Sequence, residues 1–141
     1  MYTFNWHQDW DNYTYEYSGY YEFKQKIFNT YNIIINFNQY YNTTKKTNKI
    51  YYYPNIQITK KRKIKTTLRQ TGPGYISGLI LIKNTLLEFE NFIKNKHNDK
   101  QIYIVILWSD NRRRNIYSKY LKKYGYKFDY IFQKCLVKKL I

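Results

Sequence analysis

Ile64-Lys65-Thr66-Thr67-Leu68-Arg69-Gln70-Thr71-Gly72-Pro73-Gly74-Tyr75-Ile76-Ser77-Gly78-Leu79-Ile80-Leu81-Ile82 is the stretch on which the fold turns. Residues 64–68 have the β-branched, extended character of a strand running into Arg69. Two glycines then flank a proline, and an amphipathic helix starts at once. A glycine turn between strand and helix lets backbone N–H groups approach a phosphate, and the helix N-terminus adds its dipole. Taken alone, such a turn is as well explained by glycine conformation and proline rigidity, so its surroundings decide.

Downstream the pattern is clear. Tyr75, Leu79, Ile82, Leu86, Phe89 and Ile93 recur at alternating four- and three-residue steps, which places them on one helix face. Glu88, Glu90 and Lys94 fall off that face. Pro73 suits the first turn, where its missing N–H costs nothing. Residues 102–108, Ile-Tyr-Ile-Val-Ile-Leu-Trp, form a continuous apolar run that reads as a strand buried on both faces. Residues 64–108 are therefore expected to make a right-handed βαβ unit. Ser109, Asp110 and Asn111 are N-cap candidates for a second helix carrying Ile116, Tyr117, Tyr120, Leu121 and Tyr124, with Gly125 as its C-cap. Residues 128–141 read as one or two closing strands.

Upstream, residues 2–6 suit a first strand. Tyrosines and phenylalanines over residues 9–31 fit both a helical stripe and a two-residue alternation. A helix over residues 20–31 is the reading taken. Residues 32–41 and 49–58 read as strands separated by a polar turn. Pro54 marks an edge, bulge or turn, because proline removes a ladder donor. Lys60-Lys61-Arg62-Lys63 is a charged connection.

The 141 residues suit a single domain with a real core. Hydrophobic content of 43% excludes a disordered chain. The formal net charge is +16 and uneven: residues 1–43 hold two basic and four acidic side chains, the rest 23 basic and five acidic. Such a body wants an anionic partner. One cysteine, Cys135, excludes an internal disulfide and reads as a core residue. His7 and His97 have no metal-ligand spacing and read as surface or structural residues. Without a basic N-terminal segment or an apolar run near the roughly 20 residues of a membrane span, a soluble, cytoplasmic protein with no membrane partner is expected, as a monomer or homodimer.

The spacing Arg-x-x-Gly-x-Gly, Arg69 through Gly72 to Gly74, resembles the acyl-CoA pyrophosphate loop of the GNAT superfamily of N-acyltransferases. The order of elements over residues 64–141 resembles that superfamily more specifically: strand, glycine turn, long helix, buried strand, Asn-bearing loop, Tyr-rich helix, Gly-aromatic pair and final strand. Tyr126 stands where the family has phenylalanine, and Pro73 removes one possible donor from the cradle. Tyr120 lies five residues before Gly125, one more than the usual interval, and Tyr117 lies eight before it.

The resemblance implies an α/β GNAT-like fold, with a mixed central sheet flanked by helices. It implies transfer of an acetyl group from acetyl-CoA to a primary amine by direct attack. Leu68, Arg69, Gln70, Thr71, Gly72, Gly74, Tyr75, Asn111 and Arg114 would then hold the cofactor, with a basic run at 60–63 or 112–114 meeting its 3′-phosphate. Tyr120 is the first choice and Tyr117 the second for the acid that protonates the departing thiolate. Asp9, Asp11 and Glu22 would receive a cationic acceptor. No Asp or Glu occurs between Glu22 and Glu88, so the strands that usually supply a general base offer no carboxylate. The alternatives are a small basic nucleic-acid-binding protein, whose aromatics would stack on bases, and a catalytically inactive binding module of the same fold.

Overall fold

A computed structural model describes residues 2–8, 17–27, 31–40, 48–60, 63–65, 75–97, 99–108, 111–131 and 133–140. It is an α/β fold built on one mixed sheet. The strands are β1 (Asn5–Gln8), β2 (Tyr17–Ile27), β3 (Tyr31–Tyr40), β4 (Lys49–Lys60), β5 (Lys63–Lys65), β6 (Gln101–Ile106), β7 (Lys127–Tyr130) and β8 (Lys134–Lys139). The helices are α1 (Tyr75–Lys94) and α2 (Asn111–Leu121), the latter continued by a 3-10 turn, Lys122–Tyr124. The sheet order is β1-β2-β3-β4-β6-β8-β7, with β5 paired to β4 off this path. All neighbours are antiparallel except β4 and β6.

The first correction falls at residues 20–31. They are not helical: Tyr17–Ile27 is a long strand that pairs with β3 along its length, from Tyr17 opposite Tyr40 to Ile27 opposite Tyr31. The alternation wins because Tyr21 and Phe23 reach the core from one face, while Glu22 and Lys24 take the other. A helix there would have left the β3 edge without a ladder.

The second correction concerns the βαβ unit. The strand parallel to β6 is β4, not residues 64–68. β5 turns back antiparallel onto the end of β4, with Ile58 opposite Lys65 and Lys60 opposite Lys63. The crossover unit is thus β4–α1–β6. β4 also runs straight through Pro54, which sits opposite Phe37 of β3. Pairing with β6 ends at Tyr52, so the missing N–H falls where β4 has one neighbour rather than two.

Leu86, Phe89 and Ile93 of α1 are buried against Ile33, Ile35 and Phe37 of β3, Ile50, Tyr52 and Ile58 of β4, and the even-numbered residues of β6. Phe89 stacks on Phe37 with ring centroids 3.8 Å apart and planes 7° from parallel. Phe4 closes this cluster from the N-terminal side, edge-on to both rings. Leu121 of α2 joins the same cluster, so both helices cover one face of the sheet. The other face carries a smaller cluster of Tyr53, Val105, Cys135 and Val137. Cys135 is buried and free, as a core residue should be.

Glu90 was expected off the packed face and is instead 3% exposed. Its carboxylate accepts from the Tyr126 hydroxyl at 2.9 Å and pairs with Lys138 Nζ. Two partners distant in sequence, one before β7 and one in β8, explain how a charge is tolerated there. Trp108 also differs: β6 stops at Ile106, and Leu107 beyond it is exposed. Gly125 ends the 3-10 turn at φ 97°, the left-handed cap its position called for. Among the described residues, no helix is long and apolar enough to cross a membrane.

Candidate functional site

The site begins with a defect in the sheet. β4 and β6 pair over only four positions, from Lys49 opposite Gln101 to Tyr52 opposite Ile104. Both strands then continue without each other. β4 stays with β3 as far as Lys60, and β6 stays with β8 as far as Ile106. The two parallel strands therefore part towards their carboxyl ends. β5 takes up the far end of the freed β4 edge, at residues 58–60. That leaves residues 53–57 of β4 facing the gap, in a sheet whose crevice at the carboxyl ends of parallel strands is the favoured place for a ligand.

Helix starts gather at the same end. α2 begins at Asn111, five residues beyond the end of β6. α1 ends at Lys94, close in sequence to the amino end of β6, so its own start at Tyr75 lies about 30 Å away along its axis, towards the carboxyl ends. Neither helix has an acidic residue in its first turn. In α2 that turn is Asn111-Arg112-Arg113-Arg114, cations set against a positive dipole end. Arg114 is half-buried and donates from Nε and Nη2 to Asn115 Oδ1, each at 3.4 Å. Asn111 is exposed.

The two tyrosine candidates separate in the structure. Tyr117 and Tyr124 flank buried Leu121 at helical spacing and pack on the core, whereas Tyr120 is 42% exposed. Tyr117 also lies one turn nearer the start of α2. The phenol of Tyr124 is pushed up by burial, but hydrogen bonding to Lys83 and the charges of Lys123 and Lys83 outweigh this and hold it below its ordinary value.

Glu22 lies on the sheet face opposite the helices. It sits beside Asn36 of β3, and Asn36 sits beside Asn55 of β4, making a polar row that leads to the open edge. At roughly 4.8 Å per strand, Glu22 stands about 10 Å from β4. His7 Nε2 is 3.6 Å from its carboxylate and the imidazole stacks on Tyr20. Asn36 Oδ1 is buried with no hydrogen-bond partner. A buried acceptor left unpaired is costly and marks where a donor is wanted. Sequence reasoning missed Asn36, although the alternation of β3 carries it: Ile33, Ile35 and Phe37 are buried on one face, so Asn36 and Asn38 take the other.

A second polar cluster was also missed. Tyr52, fully buried at the last position where β4 pairs with β6, donates to Gln39 Oε1 at 2.7 Å and lies 2.9 Å from His97 Nε2. With its one proton given to Gln39, the hydroxyl accepts from an Nε2–H imidazole. Burial raises the Tyr52 phenol, and the nearby Tyr21 adds to it. Burial lowers the His97 imidazole, as do Lys100 and Lys96, against an opposing pull from Asp99. The partners are 13 and 45 residues from Tyr52, beyond any local pattern.

Leu68, Arg69, Gln70, Thr71, Gly72, Gly74, Asp9 and Asp11 lie outside the described residues, as do the side chains of Tyr75, Arg112 and Arg113. Of the remaining candidates, Asn111, Arg114, Tyr117 and Tyr120 share α2, and Glu22 lies across the sheet from them. Between these two faces, β4 and β6 are unpaired beyond Tyr52 and Ile104. Among the described residues, no group of three His, Cys, Asp or Glu side chains could hold a metal. Comparison with known protein families, characterised proteins and solved structures finds no match to this chain.

Proposed function

We propose that this protein is a GNAT-like N-acetyltransferase that moves an acetyl group from acetyl-CoA to a primary amine. The observation that carries the reading is the parting of β4 and β6 after Tyr52 and Ile104, with two helix starts at the same end. The succession α1, β6, α2, Gly125-Tyr126, β7 and β8 adds support, being the order the sequence resemblance implies.

Acetyl-CoA supplies an activated thioester carbonyl, and the chain supplies binding and proton handling. Backbone N–H groups of Gly72, Gly74 and Tyr75 hold the pyrophosphate, helped by the α1 dipole. Arg69, with Leu68, Gln70 and Thr71 around it, Asn111 and Arg114 complete the anion site. Backbone donors on the open edge of β4 orient the carbonyl, Pro54 excepted. Glu22 and the unpaired oxygen of Asn36 receive the ammonium of the acceptor on the opposite face, with Asp9 and Asp11 as further carboxylates. Tyr117 or Tyr120 holds the proton that the thiolate takes. Between them, Tyr117 is better fixed by packing and Tyr120 better exposed.

Calorimetric titration with acetyl-CoA tests this reading. A Cβ and two methyls at residue 74 would block approach of the pyrophosphate. Gly74→Val is therefore expected to weaken acetyl-CoA binding at least tenfold with an unchanged circular dichroism spectrum. Equal affinity in wild type and variant, or no binding by wild type, refutes the assignment.

A further inference from the structure

A band of lysines and rings crosses the molecule from α1 to the β7 edge. Lys83 of α1 and Lys123 of the 3-10 turn both stand by the ring of Tyr124, at 5.6 and 5.3 Å from its centroid. Next to them, Lys122 stands 4.8 Å over the ring of Phe128. Phe128 in turn meets Trp108 edge-on at 6.0 Å. Two residues along β7, Tyr130 is 70% exposed and pairs across the ladder with Lys134. Phe128 is 51% exposed. β7 is the terminal strand of the sheet, so these rings stand at a free edge.

Lys83, Lys122 and Lys123 have no carboxylate partner among the described residues; each stands by a ring, and Lys83 and Lys123 also hydrogen-bond the Tyr124 hydroxyl. An exposed cation over a ring is a weak contact, readily exchanged for a phosphate on the cation and a base on the ring. Lysines interleaved with reachable rings are what a flexible polyanion carrying flat apolar groups requires.

We propose that this band is a binding surface for single-stranded nucleic acid, with phosphates on Lys83, Lys122 and Lys123 and bases stacked on Phe128 and Tyr130. The surface lies on the outer side of the helix layer and the β7 edge. It uses none of the residues assigned to acetyl transfer, and the proposal does not rest on that reading. A single strand fits better than a duplex because the rings lie along a sheet edge, where an unstacked base can reach them. A single strand also fits better than an anionic membrane, because the exposed rings Phe128 and Tyr130 lie on a four-residue strand rather than on the long apolar face of an amphipathic helix.

The test is fluorescence anisotropy with a labelled 20-nucleotide oligothymidylate, the same length of duplex, and anionic phosphatidylserine vesicles, over a salt series. Wild type is expected to bind the single strand, with log affinity falling linearly with log salt at a slope near −2, about 0.7 for each of three phosphates. Lys122→Glu/Lys123→Glu is expected to lose tenfold or more and to flatten that slope. Phe128→Ala, exposed and outside the core, is expected to lose at least fivefold while the slope stays the same. Lys24→Glu/Lys26→Glu, on exposed positions of β2, is the control and is expected to bind as wild type does. No single-strand binding at low salt, equal preference for duplex, binding to vesicles alone, or equal loss in the β2 control would each overturn the proposal. Calorimetry with acetyl-CoA on the same variants is expected to be unchanged, which keeps failure of this surface separate from failure of the acetyltransferase reading.

Discussion

Replacing Lys138 with methionine isolates the buried charge that ties α1 to the C-terminal strands. The Glu90 side chain is 4% exposed and the Lys138 side chain 23%, so the carboxylate is the deeply buried partner. Methionine keeps most of the aliphatic stem beside Gly125. It removes the ammonium together with its cation–π contact to the Tyr126 ring, leaving Glu90 with the Tyr126 hydroxyl as its donor. Breaking a buried pair from one side costs about 3–5 kcal/mol, because the remaining charge is uncompensated. For 141 residues the unfolding entropy near the midpoint is about 0.3 kcal/mol/K, so Tm should fall by about 10–17 °C. Glu90→Gln/Lys138→Met removes both charges, keeps an acceptor for Tyr126, and is expected to recover more than half of that loss. Urea titrations and thermal melts followed by circular dichroism give the free energies of wild type and the two variants. A Lys138→Met cost below about 1 kcal/mol, the range of an exposed pair, or a double variant no better than the single, would refute the account.

Other outcomes follow from the site. Tyr117→Phe and Tyr120→Phe each keep a ring and remove a hydroxyl; the variant that lacks the acid should lose about 10²-fold in kcat with acetyl-CoA affinity intact, and full activity in both removes a phenol from the mechanism. Glu22→Gln should raise KM for a cationic amine severalfold while leaving acetyl-CoA titrations unchanged; equal KM values would dismiss the acceptor row. His97 has a folded-state imidazole lowered mainly by burial, so between that lowered value and the ordinary 6.5 the unfolded chain binds more protons. Stability should therefore fall as pH drops below 6.5, and His97→Gln should flatten this slope in melts between pH 7 and 5; an identical slope in the variant would remove His97 as its source.

Much of the α1-to-α2 half was legible because its signals are local. The Leu86, Phe89 and Ile93 stripe, the apolar run at residues 102–106 and the Gly125 cap each specify their own element within a few residues. β2 misled because tyrosine is amphipathic and its spacing there satisfies two periods at once; pairing with β3, set by residues outside the segment, breaks the tie. Glu90 looked solvent-facing because its partners lie 36 and 48 residues away. Membership of β4 in the parallel pair was hidden for a similar reason. A strand does not announce its neighbour, and β5, nearer to α1 in sequence, was the natural candidate. Within the site, the helix N-termini and tyrosines could be read from spacing, whereas the gap between β4 and β6 and the orphaned oxygen of Asn36 exist only once the sheet is assembled.

The four-position seam between β4 and β6 also bears on how the chain assembles. Hairpins β2–β3 and β3–β4 close short loops, and β8 meets β7 across a few residues. The seam joins positions 52 residues apart and returns only four paired positions for that closure. Loop-closure entropy grows with separation, and non-local ladders repay it slowly. An N-terminal meander and a C-terminal hairpin thus have reason to form as separate nuclei, with α1 packing on the first and drawing β6 into register. The line along which β4 and β6 part is then the line along which the two halves of the sheet meet last.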